Sequence, residues 1–158
     1  MRRHALRYGI AALAAGAVVT VAGIGHPSWA MVAAVVPLAV SDTPGQLLRA
    51  SHRLGGTAVG LVVAAGLFAL HPAGWVLVIV VVGLQTVAEL FVVRNYGFAM
   101  IFITPLALVM NLLVGTASAD VLLHDRALET LIGAVVGIGV ALVSTRRAIA
   151  RGVVMELA

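Results

Sequence analysis

Between Tyr96 and Val114 the chain carries no charged side chain, and across residues 74–93 it carries only Glu89. Runs of this length suit a bilayer, because a helix needs about 20 consecutive apolar residues to cross the hydrocarbon. A soluble fold could not cover several such runs. Soluble domains hold about 25% charged residues, whereas here the share is 10%. Disorder is excluded too, since 62% of the residues are hydrophobic and disordered segments are poor in apolar side chains. The runs are continuous rather than alternating, which argues against a β-barrel.

The breaks between runs predict six helices. The first covers about residues 8–24 and stops at Gly25-His26-Pro27, and the second covers about 28–40. After a polar stretch, residues 41–46, the third covers about 53–70 and ends at His71-Pro72. The fourth covers 74–93, Arg94-Asn95 makes a tight turn, and the fifth covers 96–114. A polar loop at 115–125 precedes the sixth, about 126–143. The expected fold is therefore an all-α, polytopic membrane domain over residues 1–145. A short basic cytoplasmic tail, 146–158, follows it. The remaining residues are too few for a second folded domain. Arg2-Arg3, the first apolar run and Ser28-Trp29-Ala30 also read as a signal peptide. The length of that run and the span that follows at once favour a helix.

Charge sets the orientation. The basic residues are all arginine, and six alternating helices put Arg2, Arg3, Arg7, Arg49, Arg53, Arg94, Arg146, Arg147 and Arg151 on one side. The other side holds Arg126 beside Asp120, Asp125 and Glu129. Positive charge stays cytoplasmic, so both termini are expected inside the cell (inner) membrane. Trp29 and Trp75 then lie near the outer interface, where tryptophan is favoured. Orientation accounts for the positive charge, and no basic run is long enough for a nucleic-acid partner.

The two halves echo each other. Arg53, Thr57 and Gly60 in the third helix match Arg126, Thr130 and Gly133 in the sixth, both as Arg-x-x-x-Thr-x-x-Gly. Pro37-Leu38-Ala39 and Pro105-Leu106-Ala107 match weakly between the second and the fifth. A three-helix unit used twice must invert, which gives a 3+3 inverted repeat of the kind found in secondary transporters.

Polar residues inside the spans are the candidate site. Glu89 lies in the fourth helix with Gln85 one turn before it. It reads either as a proton carrier or as an ion-pair partner of Arg94 or Arg53. Gly97, Thr104 and Asn111 make one stripe on the fifth helix, which Pro105 is expected to kink. That stripe serves a substrate path or hydrogen bonds between helices. The glycine faces of the first, third and sixth helices read as close packing. No cysteine is present, the five histidines are scattered, and neither a nucleophile elbow nor a phosphate-binding loop occurs. No metal, cofactor or catalytic group is expected, and the chain does not read as an enzyme.

Certain of these pieces occur together in a known family. Pro27-Ser28-Trp29-Ala30 opens a span, and Arg53-Leu54-Gly55-Gly56-Thr57-Ala58-Val59-Gly60 opens another. Asn95-Tyr96 leads into Phe102-Ile103-Thr104-Pro105-Leu106, and the segment 126–133 follows. In this order the chain resembles the integral-membrane domain of the fusaric acid resistance protein-like transporters, the aromatic acid exporter group. The resemblance covers about residues 27–143. It implies six helices and export of small organic anions such as aromatic carboxylates. Family members usually carry a sizeable cytoplasmic region, so a homo-oligomer or a partner subunit is expected beside the lipid bilayer. The expected translocation residues are Arg53, Thr57, Gly60, Glu89, Asn95, Tyr96, Thr104, Asn111, Arg126 and Thr130. On this reading Arg53 and Arg126 sit at helix N-termini, where free backbone N–H groups favour anions, and serve entry and exit. The competing reading is a small structural or assembly membrane protein.

Overall fold

The computed structural model describes the backbone of residues 2–40, 43–115 and 117–156, and the side chains of 5–40, 44–115 and 117–143. Those residues form helices joined by short turns, with no strand among them. The helices are α1 (Arg2–Val21), α2 (Pro27–Val35), α3 (Thr43–Ala69), α4 (Gly74–Val92), α5 (Tyr96–Val114) and α6 (Ala119–Glu156). A 3-10 turn, Val36–Ala39, follows α2.

Local chemistry explains most of the boundaries. Asn95 starts α5 by accepting a hydrogen bond from the Phe98 amide at 3.0 Å, satisfying an amide the first turn leaves open. Gly115 ends α5 in the left-handed conformation, φ 72°, which glycine adopts without steric cost. Helices α1, α3 and α6 start earlier than hydropathy predicts. Pro44 falls in the first turn of α3, where its missing N–H removes nothing the helix needs. Asp120 falls in the first turn of α6, where negative charge is favoured. The polar stretch expected as a loop thus belongs largely to α3, with Ser41 and Asp42 outside the described residues. Within it, Gln46 is buried and donates to the Val40 carbonyl at 2.8 Å. The basic segment after Val143 continues α6 as helical backbone, while the side chains of Arg2, Arg3, Arg146, Arg147 and Arg151 lie outside the described residues.

Four segments are long and apolar enough to cross a membrane: Pro44–Ala69, Gly74–Val92, Tyr96–Val114 and Ala119–Val143. Ala5–Val21 and Pro27–Ala39 are apolar but shorter. The second of these loses its α-helical form at Val36, next to Pro37, because proline cannot donate to the helical ladder. Many outward-facing side chains on the long helices are hydrocarbon, among them Val62, Val82 and Val135. That surface fits lipid and not water.

The chain divides into two compact units. One contains α1, α2, the beginning of α3 and α6 from Leu131 onward. Its core is built from small side chains, with Ala11, Ala15, Ala30 and Ala34 fully buried. The Tyr8 hydroxyl ties α1 to the 3-10 turn by donating to the Leu38 carbonyl at 3.0 Å. Here α6 lies directly on α2: a Cβ at Gly133 would strike the Ala30 carbonyl and the Ala33 side chain, and one at Gly137 would strike the Ala34 carbonyl.

The other unit runs from Ser51 to Thr130. In it α3 lies on α5 in the same way. A Cβ at Gly56 would meet the Gly97 carbonyl oxygen at 2.5 Å, and one at Gly60 would meet Thr104 Cβ at 2.7 Å and the Ile101 carbonyl at 3.0 Å. Successive glycines of α3 meet successive turns of α5, so the two helices run in the same direction. Helix α4 packs against α5 but presents most of its surface outward, with Leu77 and Ala88 its buried residues. Edge-to-face rings, Phe91 on Phe98 at 4.7 Å and Phe98 on Phe102 at 5.1 Å, secure the α4–α5 turn.

Candidate anion site

Burial along α3 follows one face. Arg53, Gly56, Thr57 and Gly60 are buried while Gly55, Ala58 and Val59 are exposed. The same period on α6 buries Arg126, Glu129, Thr130 and Gly133 and exposes Ala127 and Leu131. Helical spacing of three and four residues therefore stacks each arginine, its threonine and a glycine in one line.

Arg53 is 4% exposed, Arg126 4% and Glu129 0%. Arg53 Nη1 donates to the Tyr96 hydroxyl at 2.9 Å, joining α3 to the first turn of α5. The Arg126 guanidinium lies within electrostatic reach of Arg53, Glu129 and Tyr96. Two arginines, a glutamate and a phenol from three helices thus share one buried region of this unit. Burying charges is costly unless they are paired and hydrogen-bonded, and Glu129 and Tyr96 provide those partners. Thr57, Thr104 and Thr130 are also buried. Their hydroxyls, together with Arg53 Nε, meet no hydrogen-bond partner among the described residues. They retain capacity for a polar ligand or water.

The geometry revises the expected capture mechanism. Thr43 opens α3 and Ala119 opens α6, so Arg53 lies about 15 Å and Arg126 about 10 Å along their helices at 1.5 Å per residue. The amides at both positions belong to the interior of the helical ladder, and any anion there is held by side chains. Entry and exit at two separate helix ends is not what these positions offer, since the two arginines act on each other.

The remaining candidates serve other contacts. Glu89 is exposed on α4, its Oε1 accepting from Gln85 Nε2 at 2.6 Å. It is not buried, and among the described residues no arginine hydrogen bond holds it. Asn95 caps α5. Asn111 is half-buried and its Nδ2 donates to the Ala107 carbonyl at 2.8 Å, a bond within α5. Gly60 provides close packing rather than a donor. The residue that sequence reasoning missed is Glu129, placed there with the outer loop charges. Its position three residues after Arg126, on the same helical face, was the available signal.

The fusaric acid resistance protein-like family model matches residues 13–140, which takes in every residue of the cluster. The chain belongs to this family. Among curated proteins it is similar to the uncharacterized membrane protein YvaC of Bacillus subtilis (strain 168), 29% identical over 136 residues. That alignment covers 85% of this chain and 22% of the relative, so the chain spans about a fifth of that protein's length. No solved structure matches. As a fusaric acid resistance-like protein, the chain is an integral membrane protein.

Proposed function

We propose that this family member exports small organic anions, aromatic carboxylates in particular, across the cell membrane. The observation that carries the reading is the pair of buried arginines, Arg53 and Arg126, inside membrane-crossing helices. Ionisable groups at such depth are expensive and mark ion or substrate paths. A carboxylate satisfies guanidinium groups by charge and by paired hydrogen bonds, and the open hydroxyls of Thr57, Thr104 and Thr130 add donors. An aromatic ring finds apolar surroundings in the helices themselves.

Six crossings with cytoplasmic termini remain the proposed topology, α1 and α2 forming a short hairpin pair. The repeat is supported by a shared packing mode: each glycine meets a backbone carbonyl and the side chain three residues on, Gly60 with Ile101 and Thr104, and Gly133 with Ala30 and Ala33. The second reading, a structural or assembly role within a larger complex, is favoured by the much greater length of YvaC.

Efflux of labelled benzoate from proteoliposomes holding only this chain tests the proposal. Wild type is expected to transport, and Arg53→Ala at equal abundance to lose most of that activity. Benzoate flux at the protein-free rate would sink the exporter reading and leave the assembly role. Collapse of the proton gradient separates coupled export from a passive path.

A further inference from the structure

We propose that the outward face of α4 is the seam on which two copies of this chain pair side by side in the membrane, α4 against α4. Trp75, Val78, Val82, Gln85 and Glu89 are all exposed and recur at alternating steps of three and four residues. That spacing is the heptad seam of two helices wound together. Leu77 and Ala88, the residues α4 buries, lie on the opposite side of the helix. Lipid suits the hydrocarbon members of the line. It does not suit Gln85 and Glu89. Gln85 lies eleven residues after Gly74 in a helix of 19, about 16 Å along a span of about 28 Å at 1.5 Å per residue. Its Nε2 donates to Glu89 Oε1 at 2.6 Å, and among the described residues no other hydrogen bond or ion pair reaches either side chain. That bond leaves open the Gln85 amide oxygen, its second N–H and the second carboxylate oxygen of Glu89. Polar groups inside a span are expensive and face protein or a water-filled cavity rather than lipid.

A second copy fits this face because the face is complementary to itself. Two copies inserted in one orientation and related by a twofold axis along the membrane normal set their α4 helices parallel. Equal depths then meet, Val82 against its counterpart and Gln85 against its counterpart. A carboxamide both donates and accepts, so a pair of glutamines closes on itself across the two helices. The charges match as well. Each copy carries Glu89 and, just past the end of the same helix, exposed Arg94, and the two do not pair within one chain among the described residues. Pairing gives each Glu89 the other copy's Arg94 as counter-ion, near the interface where arginine heads reach. One polar layer in an apolar seam also fixes the register and holds the number of helices at two.

The test uses the purified full chain in liposomes over a range of protein-to-lipid ratios, with energy transfer between copies carrying donor and acceptor dyes on an added C-terminal tag. Wild type is expected to pair, and Gln85→Leu/Glu89→Leu to raise the dissociation constant about tenfold. In membranes treated with an oxidant, Val82→Cys is expected to give a disulfide-linked dimer. Val62→Cys on α3, 73% exposed in the same unit, is expected to stay monomeric. A wild type that is monomeric at every ratio overturns the inference. So does undiminished pairing of the double leucine variant, or a crosslink at Val62→Cys with none at Val82→Cys. The Val82→Cys result leaves both polar side chains in place, so it reads the seam even if the leucine variant fails to fold.

Discussion

Tyr96 steadies Arg53 through a 2.9 Å hydrogen bond that crosses from α5 to α3. A neutral hydrogen-bond partner of this kind contributes about 0.5–1.5 kcal/mol net, and bonds to charged groups more. Tyr96→Phe is therefore expected to weaken benzoate binding roughly three- to tenfold, seen as a raised KM with little change in maximal flux. Glu89 makes the contrasting case. It is exposed and bonded to Gln85 on its own helix, so Glu89→Gln should transport at the wild-type rate. A proton-uncoupled Glu89→Gln would return that residue to the translocation path. Arg53 and Arg126 were singled out in sequence by the repeated Arg-x-x-x-Thr-x-x-Gly pattern, though read there as helix starts. Glu129 was not, because it was counted with the outer-side charges although it falls inside the sixth helix read from hydropathy, about 126–143. Its spacing of three from Arg126 places both on one helical face.

At the scale of elements, packing is decided by where a methyl group fits. Gly133 lies against the Ala30 carbonyl and Ala33, and Gly60 against Thr104 and the Ile101 carbonyl. Backbone atoms on the facing helix cannot rotate away. Gly60→Ala and Gly133→Ala should each destabilise the fold by about 1–3 kcal/mol, the usual result of overpacking. Gly83 on α4 has nothing within 4 Å, so Gly83→Ala should leave stability unchanged or slightly raised through helix propensity. Thermal melts in one detergent compare the three, and equal melting temperatures would remove the close-packing argument. The extent of α5 was read correctly from the sequence, since Arg94-Asn95 and Gly115 mark both its ends. The starts of α3 and α6 were not, because hydropathy follows burial in lipid and not the hydrogen-bond ladder. Polar residues such as Gln46 extend a helix as readily as apolar ones.

For the whole molecule, the number of crossings turns on α1 and α2. Four segments have the length and two fall short. The paired shortfall leaves the charge asymmetry intact, since a hairpin returns the chain to the side it left. The chain lacks cysteine, so single-cysteine variants can be labelled without any prior removal. With an impermeant thiol reagent on intact cells, Ser118→Cys should label and Arg94→Cys should not. Gly25→Cys distinguishes the topologies: it labels from outside when α1 and α2 cross fully, and stays protected when they enter only part-way. Labelling of Arg94→Cys from outside would invert the proposed orientation.

The depth of the two arginines has a consequence for selectivity. Backbone amides at a helix end form a fixed template with one preferred outline. Guanidinium groups on long flexible stems, ten and seven residues along their helices by position (Thr43 to Arg53, Ala119 to Arg126), form an adaptable one. A seat made of such groups sorts its guests by electrical balance and tolerates differences in shape. On the export reading proposed above, such a seat passes weak acids of varied outline through a single site.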